Sequence, residues 1–326
     1  LRRLTGQEID AYLDHFIAKY VHLVNPIAGE AKQIALERVR RFLSQVDTDE
    51  VRSAQDFADG VIEEIKIAYE GNFATPRAET VIKRATKEIY EFYRLRDTSV
   101  FGDASKIPRL KFGAADTRAV RFFNGVDHWY LSGMVDNRRP ALEKFLKDEY
   151  VEKGRALFGR GASGEMLDDF RRAAGGKLDS LNDHGVKTII NSSVQRIRSY
   201  ANINQLRQGR YKWGRIVPTM DERTSPICIY FGEPPPKYIR VGVAASTIDR
   251  LTKLAPGDYA LELYKSEQGK AYSVNPLEYV KDRIGTNGVI EDSLVAEGRG
   301  FPPYHPNCRT RVEGVETAVG DEGPSE

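Results

Sequence analysis

The stretch "PPYHPNCRTRVEGV", Pro302 to Val315, decides how the carboxyl half of the chain is organised. It places one of only two cysteines and one of five histidines three residues apart, among three prolines. Proline fixes φ and drives the residue before it into extended geometry, so Tyr304-His305-Pro306 is excluded from a helix interior. The loop has an enforced shape, and the "CRTRVEGV" that leaves it reads as a closing strand. The second cysteine sits in the other motif-like stretch, "TMDERTSPIC", Thr219 to Cys228. Between that motif and a preceding Gly209 lies "RYKWGRIVPTM", a strand pattern with Tyr211, Trp213, Arg215 and Val217 on one face and Ile216 on the other. A long helix is expected upstream, from Lys177 to Gln208, with Val186, Ile189, Ile190, Val194 and Ile197 as its core stripe.

Further toward the amino end the chain reads as successive amphipathic helices. Thr5 and Glu8 make a capping-box pattern ahead of Ile9, Leu13, Phe16, Ile17 and Tyr20. Asn25-Pro26 has the look of a cap and first helical proline, opening a second helix through Ile34 and Phe42. Asp47 or Thr48 is expected to cap a helix that stops at Gly71-Asn72, and Thr75-Pro76 opens another through Ile82, Ala85, Ile89 and Phe92. Helical patterns resume at Asp116 and after Pro140, while "FGRGASGEM" and "AAGG" mark joints. The expected class is therefore α+β. A mostly helical region, residues 1–175, precedes a small module with short antiparallel strands, residues 176–316, that carries an insertion at about 233–298 and an acidic tail, 317–326.

With 326 residues, 40% hydrophobic and 29% charged, the chain has the composition of a soluble globular protein, long enough for two domains. No run approaches the roughly 18 apolar residues of a membrane span, and the amino end lacks the pattern of a cleaved signal. Two cysteines make no disulfide framework. The net charge of +2 hides an asymmetry: His184 to Met220 contains no acidic residue and seven basic ones, whereas every charge after Arg311 is negative. Such an acidic end is expected to be disordered when free.

The order of these pieces, helix, "YKWGRIVP" strand, "DERTSPIC" and "PPYHPNCR", resembles the C-terminal module of the phage Mu F-like head morphogenesis proteins. The family pattern is an Asp-Glu-Arg-Thr segment, a Cys-x-x-Cys pair, then Pro-Pro-x-His-Pro-x-Cys-Arg-Cys opening the last strand. Asp221, Glu222, Arg223, Thr224, Cys228, Pro302, Pro303, His305, Pro306, Cys308 and Arg309 match it, whereas Ser225 and Thr310 stand where the pattern has cysteine. The segment between the motifs is longer than in the family and is a candidate lobe of its own. The resemblance implies a structural, non-enzymatic minor capsid protein of a tailed phage, in the capsid interior or at the portal vertex of the virion and in the host cytoplasm during assembly. Its implied partners are the portal protein and other capsid or scaffolding proteins, without a membrane, and its role is head assembly with DNA packaging or delivery.

The chemistry of the two motifs has competing readings. A complete Cys-x-x-Cys with His-x-x-Cys is a zinc signal, since a tetrahedral site takes four such ligands on tight turns. Here three good ligands remain, Cys228, His305 and Cys308, and serine is a poor fourth. The favoured reading is a cofactor-free packed junction, in which the prolines pin His305 and Cys308 so that the last strand is clamped against the "DERTSPIC" turn. Pairing of Arg223 or Arg309 with Asp221 would add a charge-assisted link. The alternative is a phage-derived toxin or enzyme, a nuclease or transferase, built on the same module. Against it, no phosphate-cradling loop with its lysine is present, and His15, His22, His128 and His184 are isolated. The acid-free segment offers a second candidate surface: Arg196, Arg207, Arg210, Lys212 and Arg215, interleaved with Tyr200, Tyr211 and Trp213, have the composition of a non-specific contact with double-stranded DNA.

Overall fold

The computed structural model describes residues 4–46, 51, 53–102, 107–153, 164–222, 224–264, 276–304 and 308–318. The chain is mostly helical with one three-stranded antiparallel sheet, the α+β class expected. It divides into two compact units. The first comprises Leu1–Ala18, Lys83–Val126 and Asn191–Glu326; the second comprises Lys19–Ile82 and Asp127–Ile190.

Two expected helix breaks are absent. Helix α1 is continuous over Gly6–Gln45 with Pro26 inside it, so Asn25-Pro26 is not a cap. An interior proline costs about 3 kcal/mol, but here the buried stripe runs unbroken through it, from Val24 to Ile27, Ala28 and Ala31. Burial of that stripe outweighs the lost hydrogen bond. The same holds in α7, Gly164–Gln208, where Gly175-Gly176 is helical rather than a joint because Ala174, Leu178 and Leu181 are all buried. The expected domain boundary near residue 176 therefore falls within a helix, and the units are divided elsewhere. Most of "FGRGASGEM" and both expected caps Asp47 and Thr48 lie outside the described residues; Ser53 caps α2, Ala54–Phe73, by accepting from the Asp56 N–H. The other caps match: Glu8 and Thr5 exchange capping-box bonds of 3.2 and 2.8 Å, and Thr75 caps α3, Pro76–Leu95.

Among the described residues, the regular elements of the second unit are all helices. Besides parts of α1, α3 and α7, it contains α2, the end of α4 (Ala114–Ser132), α5 (Met134–Asn137) and α6 (Arg139–Lys153). Phe57 of α2 packs on Tyr150 and Phe170, with centroids 5.5 and 5.9 Å away. Part of its polar interior is linked by hydrogen bonds: the Tyr69 hydroxyl donates to Asn182, whose amide donates to the Ala28 carbonyl, and His128 Nε2 bonds the Phe73 carbonyl at 2.8 Å. His128 is thus structural.

The first unit is built around a buried ion pair that the sequence patterns do not reveal. Arg94 of α3 and Asp116 of α4 meet at 2.8 Å with side chains 5% and 4% exposed. The Tyr90 hydroxyl donates to the same carboxylate, Asn204 of α7 donates to Tyr90, and Arg94 reaches Gln208. Three helices are therefore tied by one buried polar cluster, in which Arg94 Nη1 and Asn204 Oδ1 have no hydrogen-bond partner among the described residues, flanked by Phe123 against Tyr200 at 5.0 Å.

The strands are β1 (Trp213–Val217), β2 (Tyr238–Arg240) and β3 (Arg311–Val315), in the order β2-β1-β3. The register sets Gly214 opposite Gly314 and Arg215 opposite Glu313. Partners across an antiparallel pair share a face. Ile216, Val312 and Ile239 occupy the inner face, where a Cβ on Gly314 would lie 2.6 Å from the Tyr211 ring and 2.7 Å from Leu206. The glycine lets the end of α7 lie against the sheet. This corrects the expected placement of Tyr211 beside Trp213: Tyr211 precedes the strand and closes α7 instead. Its N–H bonds the Leu206 carbonyl and the Arg210 N–H bonds that of Arg207, with Arg210 at φ 59°. That is a Schellman ending with arginine in the left-handed position that glycine normally takes. Residues of the expected insertion supply β2, as well as α9 (Val241–Leu251), α10 (Pro256–Tyr264), α11 (Pro276–Lys281) and α12 (Asp292–Ala296). The insertion is part of the first unit rather than a separate lobe. Among the described residues, no helix is long and apolar enough to cross a membrane.

Two stability predictions follow from these features. Replacing Asp116 by Ala leaves the Arg94 guanidinium buried without its partner and should cost about 3–5 kcal/mol, whereas an Arg94→Met, Asp116→Leu double variant should lose much less. Chemical denaturation midpoints of the two variants check this. Arg210→Gly should stabilise by about 1 kcal/mol, since only glycine holds φ > 0 without strain; thermal melting is the measurement.

Candidate functional site

The two motifs meet in the first unit. After β1 the chain passes through Thr219 into a turn in which the Thr224 N–H bonds the Asp221 carbonyl at 3.0 Å and the Asp221 N–H bonds Thr224 Oγ1 at 2.7 Å. The Thr224 hydroxyl in turn donates to the Thr219 carbonyl. Ser225 then caps α8, Pro226–Gly232, accepting from the Cys228 N–H at 3.4 Å, with Pro226 in the first turn where its missing N–H costs nothing. Helix α8 buries Ile227, Cys228 and Phe231.

The lead-in to β3 lies against this turn. Cys308 Sγ is 3.8 Å from Cys228 Sγ, and the two residues are 0% and 3% exposed. The Thr310 hydroxyl donates to Cys228 Sγ at 3.2 Å, Arg309 forms an ion pair with Asp221, and the Thr219 hydroxyl lies 3.3 Å from the Arg309 carbonyl. Phe231 and Tyr304 stack beneath, their centroids 4.3 Å apart and their planes 11° from parallel. Asp221, Cys228, Cys308 and Arg309 are thus brought together across 80 residues of chain. Arg223 and His305 lie outside the described residues. The two positions that depart from the family pattern have their own chemistry: Ser225 is a helix cap and Thr310 a donor to sulfur. Among the described residues, no three His, Cys, Asp or Glu side chains are grouped to hold a metal ion. Burial, together with the hydrogen bond to Cys228, pushes the Cys308 thiol well above its ordinary range, so it stays protonated at neutral pH.

The basic segment is dispersed rather than gathered on one face. Arg196 is half-buried, its guanidinium 5.9 Å from the Tyr259 ring. Arg198 is buried, stands 5.8 Å from the Tyr93 ring, and has no hydrogen-bond partner for any guanidinium nitrogen among the described residues. Arg207 pairs at 2.6 Å with Asp249, which also takes Arg118 at 3.0 Å. Arg215 pairs with Glu313 at 2.8 Å, and Arg311 reaches the other oxygen of the same carboxylate. Of the candidate contacts Arg196, Arg207, Arg210, Lys212 and Arg215, the exposed ones are Arg210 and Lys212, the latter 5.6 Å over the Trp213 ring. Sequence reasoning missed the acids that engage these arginines, because Asp249 lies in α9 and Glu313 in β3, and only their partnered position reveals the link.

Glu313 gives a pH prediction. Burial alone would raise its carboxyl, but hydrogen bonds from Arg215 and Arg311 outweigh burial and hold it below its ordinary value. A depressed carboxyl contributes stability that is present above the unfolded-state value and lost as pH falls through the folded one. The first unit should therefore weaken below the ordinary carboxylate range, and Glu313→Gln should flatten that part of the stability-versus-pH profile measured by thermal melting. Comparison of the chain with models of protein families, with curated proteins and with solved structures found no match.

Proposed function

We propose that this chain is a structural minor capsid protein of the Mu F-like head morphogenesis kind, held at the portal vertex or in the capsid interior of a tailed phage. The observation that carries the reading is the closure of the two motifs on each other as a packed, hydrogen-bonded junction, from cysteines 80 residues apart. In this role the junction is architectural: it fixes the last strand to the turn after β1 and so holds the sheet on which the module is built. The helical surfaces then serve as docking faces for the portal protein or for other capsid or scaffolding proteins. Arg210 and Lys212, exposed just before β1, are the residues that would meet duplex phosphates. Contact of that kind is non-specific and weak for one chain, and stronger when several copies act together.

Co-production of the full chain with the portal protein and the capsid proteins tests the assignment. Purified heads should contain the chain in a few copies, and an Asp221→Ala, Arg309→Ala variant should be incorporated at a reduced level. A clean preparation that degrades DNA or modifies nucleotides, and loses that activity on His305→Ala, would overturn the structural reading. For DNA, affinity for a duplex should fall with salt at a log–log slope of about −0.9 per phosphate contacted, and an Arg210→Ala, Lys212→Ala variant should reduce the slope by about 2. A flat salt dependence would remove DNA from the proposal.

A further inference from the structure

We propose that Cys228 and Cys308 are an intramolecular dithiol–disulfide modification site, oxidised by a peroxide to a cross-link between α8 and the lead-in to β3. The inference rests on the seam alone and not on the function proposed above. The two residues are the chain's only cysteines, and their sulfurs are in van der Waals contact at 3.8 Å although 80 residues separate them. A disulfide needs about 2.05 Å, an approach that side-chain rotation and a small shift of a loop can supply. Both thiols are buried, which keeps each from a second copy and directs oxidation to its neighbour. The two segments that carry the sulfurs are also joined by the Arg309–Asp221 pair and by the stacked rings of Tyr304 and Phe231.

The product is the same whichever thiolate attacks first, and Cys228, whose Sγ accepts the Thr310 hydroxyl at 3.2 Å, serves as the example. Its thiolate displaces hydroxide from hydrogen peroxide and becomes a sulfenic acid. Cys308 then attacks that sulfur; the S–O bond breaks, the S–S bond forms, and the departing hydroxide takes the Cys308 proton as water. Two thiols are oxidised by two electrons, one peroxide is reduced, and two waters are released. Burial makes both steps slow, because the exchange waits on local opening of the seam. Once formed, the bond closes a long loop and restricts the unfolded chain, so the cross-linked form is the more stable one.

The experiment treats the full-length chain with dilute hydrogen peroxide, quenches, unfolds it in urea and alkylates remaining thiols. The expected product is a monomer about 2 Da lighter than the reduced chain, with no alkyl group added, and a proteolytic fragment joining the peptides of Cys228 and Cys308. Its melting temperature should rise by on the order of 5 °C and return to the starting value with dithiothreitol. Cys228→Ser and Cys308→Ser variants, each checked for native circular dichroism, should show neither the mass change nor the shift. Wild-type chain is the second arm if those variants fail to fold, since the reversible mass and melting changes are read on it alone. Two alkylated thiols after treatment, a sulfinic acid on either cysteine, a disulfide-linked dimer, or a stoichiometric zinc ion held by the reduced protein would each overturn the proposal.

Discussion

The antiparallel ladder between β1 and β3 is the constraint on which the first unit depends. One of its five pairs is Gly214 opposite Gly314, and the space left by those two missing side chains is filled by neighbours: Val312 crowds Gly214, while Tyr211 and Leu206 crowd Gly314. No other residue type lets the end of α7 and the sheet approach so closely. Everything that follows uses that approach. The Schellman ending of α7 turns the chain directly into β1, β1 delivers it to the Asp221 turn, and the turn receives the residues that lead into β3. The seam between the motifs is thus the far edge of the same ladder, and its cysteines, ion pair and stacked rings lock a register that the glycines permit.

Charge organisation repeats one device. Asp249 takes Arg118 and Arg207, and Glu313 takes Arg215 and Arg311, so a carboxylate sits between two guanidinium groups in each case. Each group of three retains a net positive charge. The acid-free run from His184 to Met220 therefore does not translate into an equally bare basic surface. It marks instead the side of the interface from which the cations come, the acids being supplied by elements far along the chain.

What was legible in the sequence was local. Caps at Thr5 and Thr75, the strand at Trp213–Val217 and the closing strand at Arg311–Val315 all depend on a few neighbouring residues, and their chemistry is written in those residues. The proximity of Cys228 to Cys308 was an expectation drawn from the resemblance of the two motifs, and the sulfurs lie 3.8 Å apart. What was not legible depended on tertiary burial. Pro26 and Gly175-Gly176 look like breaks until the buried stripes that run across them are known, and Ser53, rather than Asp47 or Thr48, caps α2. The Arg94–Asp116 pair is equally silent, because nothing in a sequence says which of many charged residues on helical faces will be fully enclosed. The division into units failed for the same reason, since each unit draws on segments that are distant in the chain.

That interleaving has a consequence for how the protein is made. A ribosome delivers residues in order, at roughly 5–20 per second. The last residues of the second unit are present once Ile190 has been synthesised, so that unit can close early. The first unit cannot: its helices near the amino end and those over Lys83–Val126 expose apolar faces, including Phe16, Tyr93 and Phe123, whose covering strands and helices arrive only after Asn191. Its sheet waits longest, because β1 lacks its β3 partner until Val315 emerges. For an interval on the order of ten seconds the nascent chain carries an unfinished hydrophobic surface and an unpaired strand, the conditions under which chaperones bind and chains misassociate. The yield of this protein is therefore set as much by what shelters half of it during synthesis as by the stability of the finished fold.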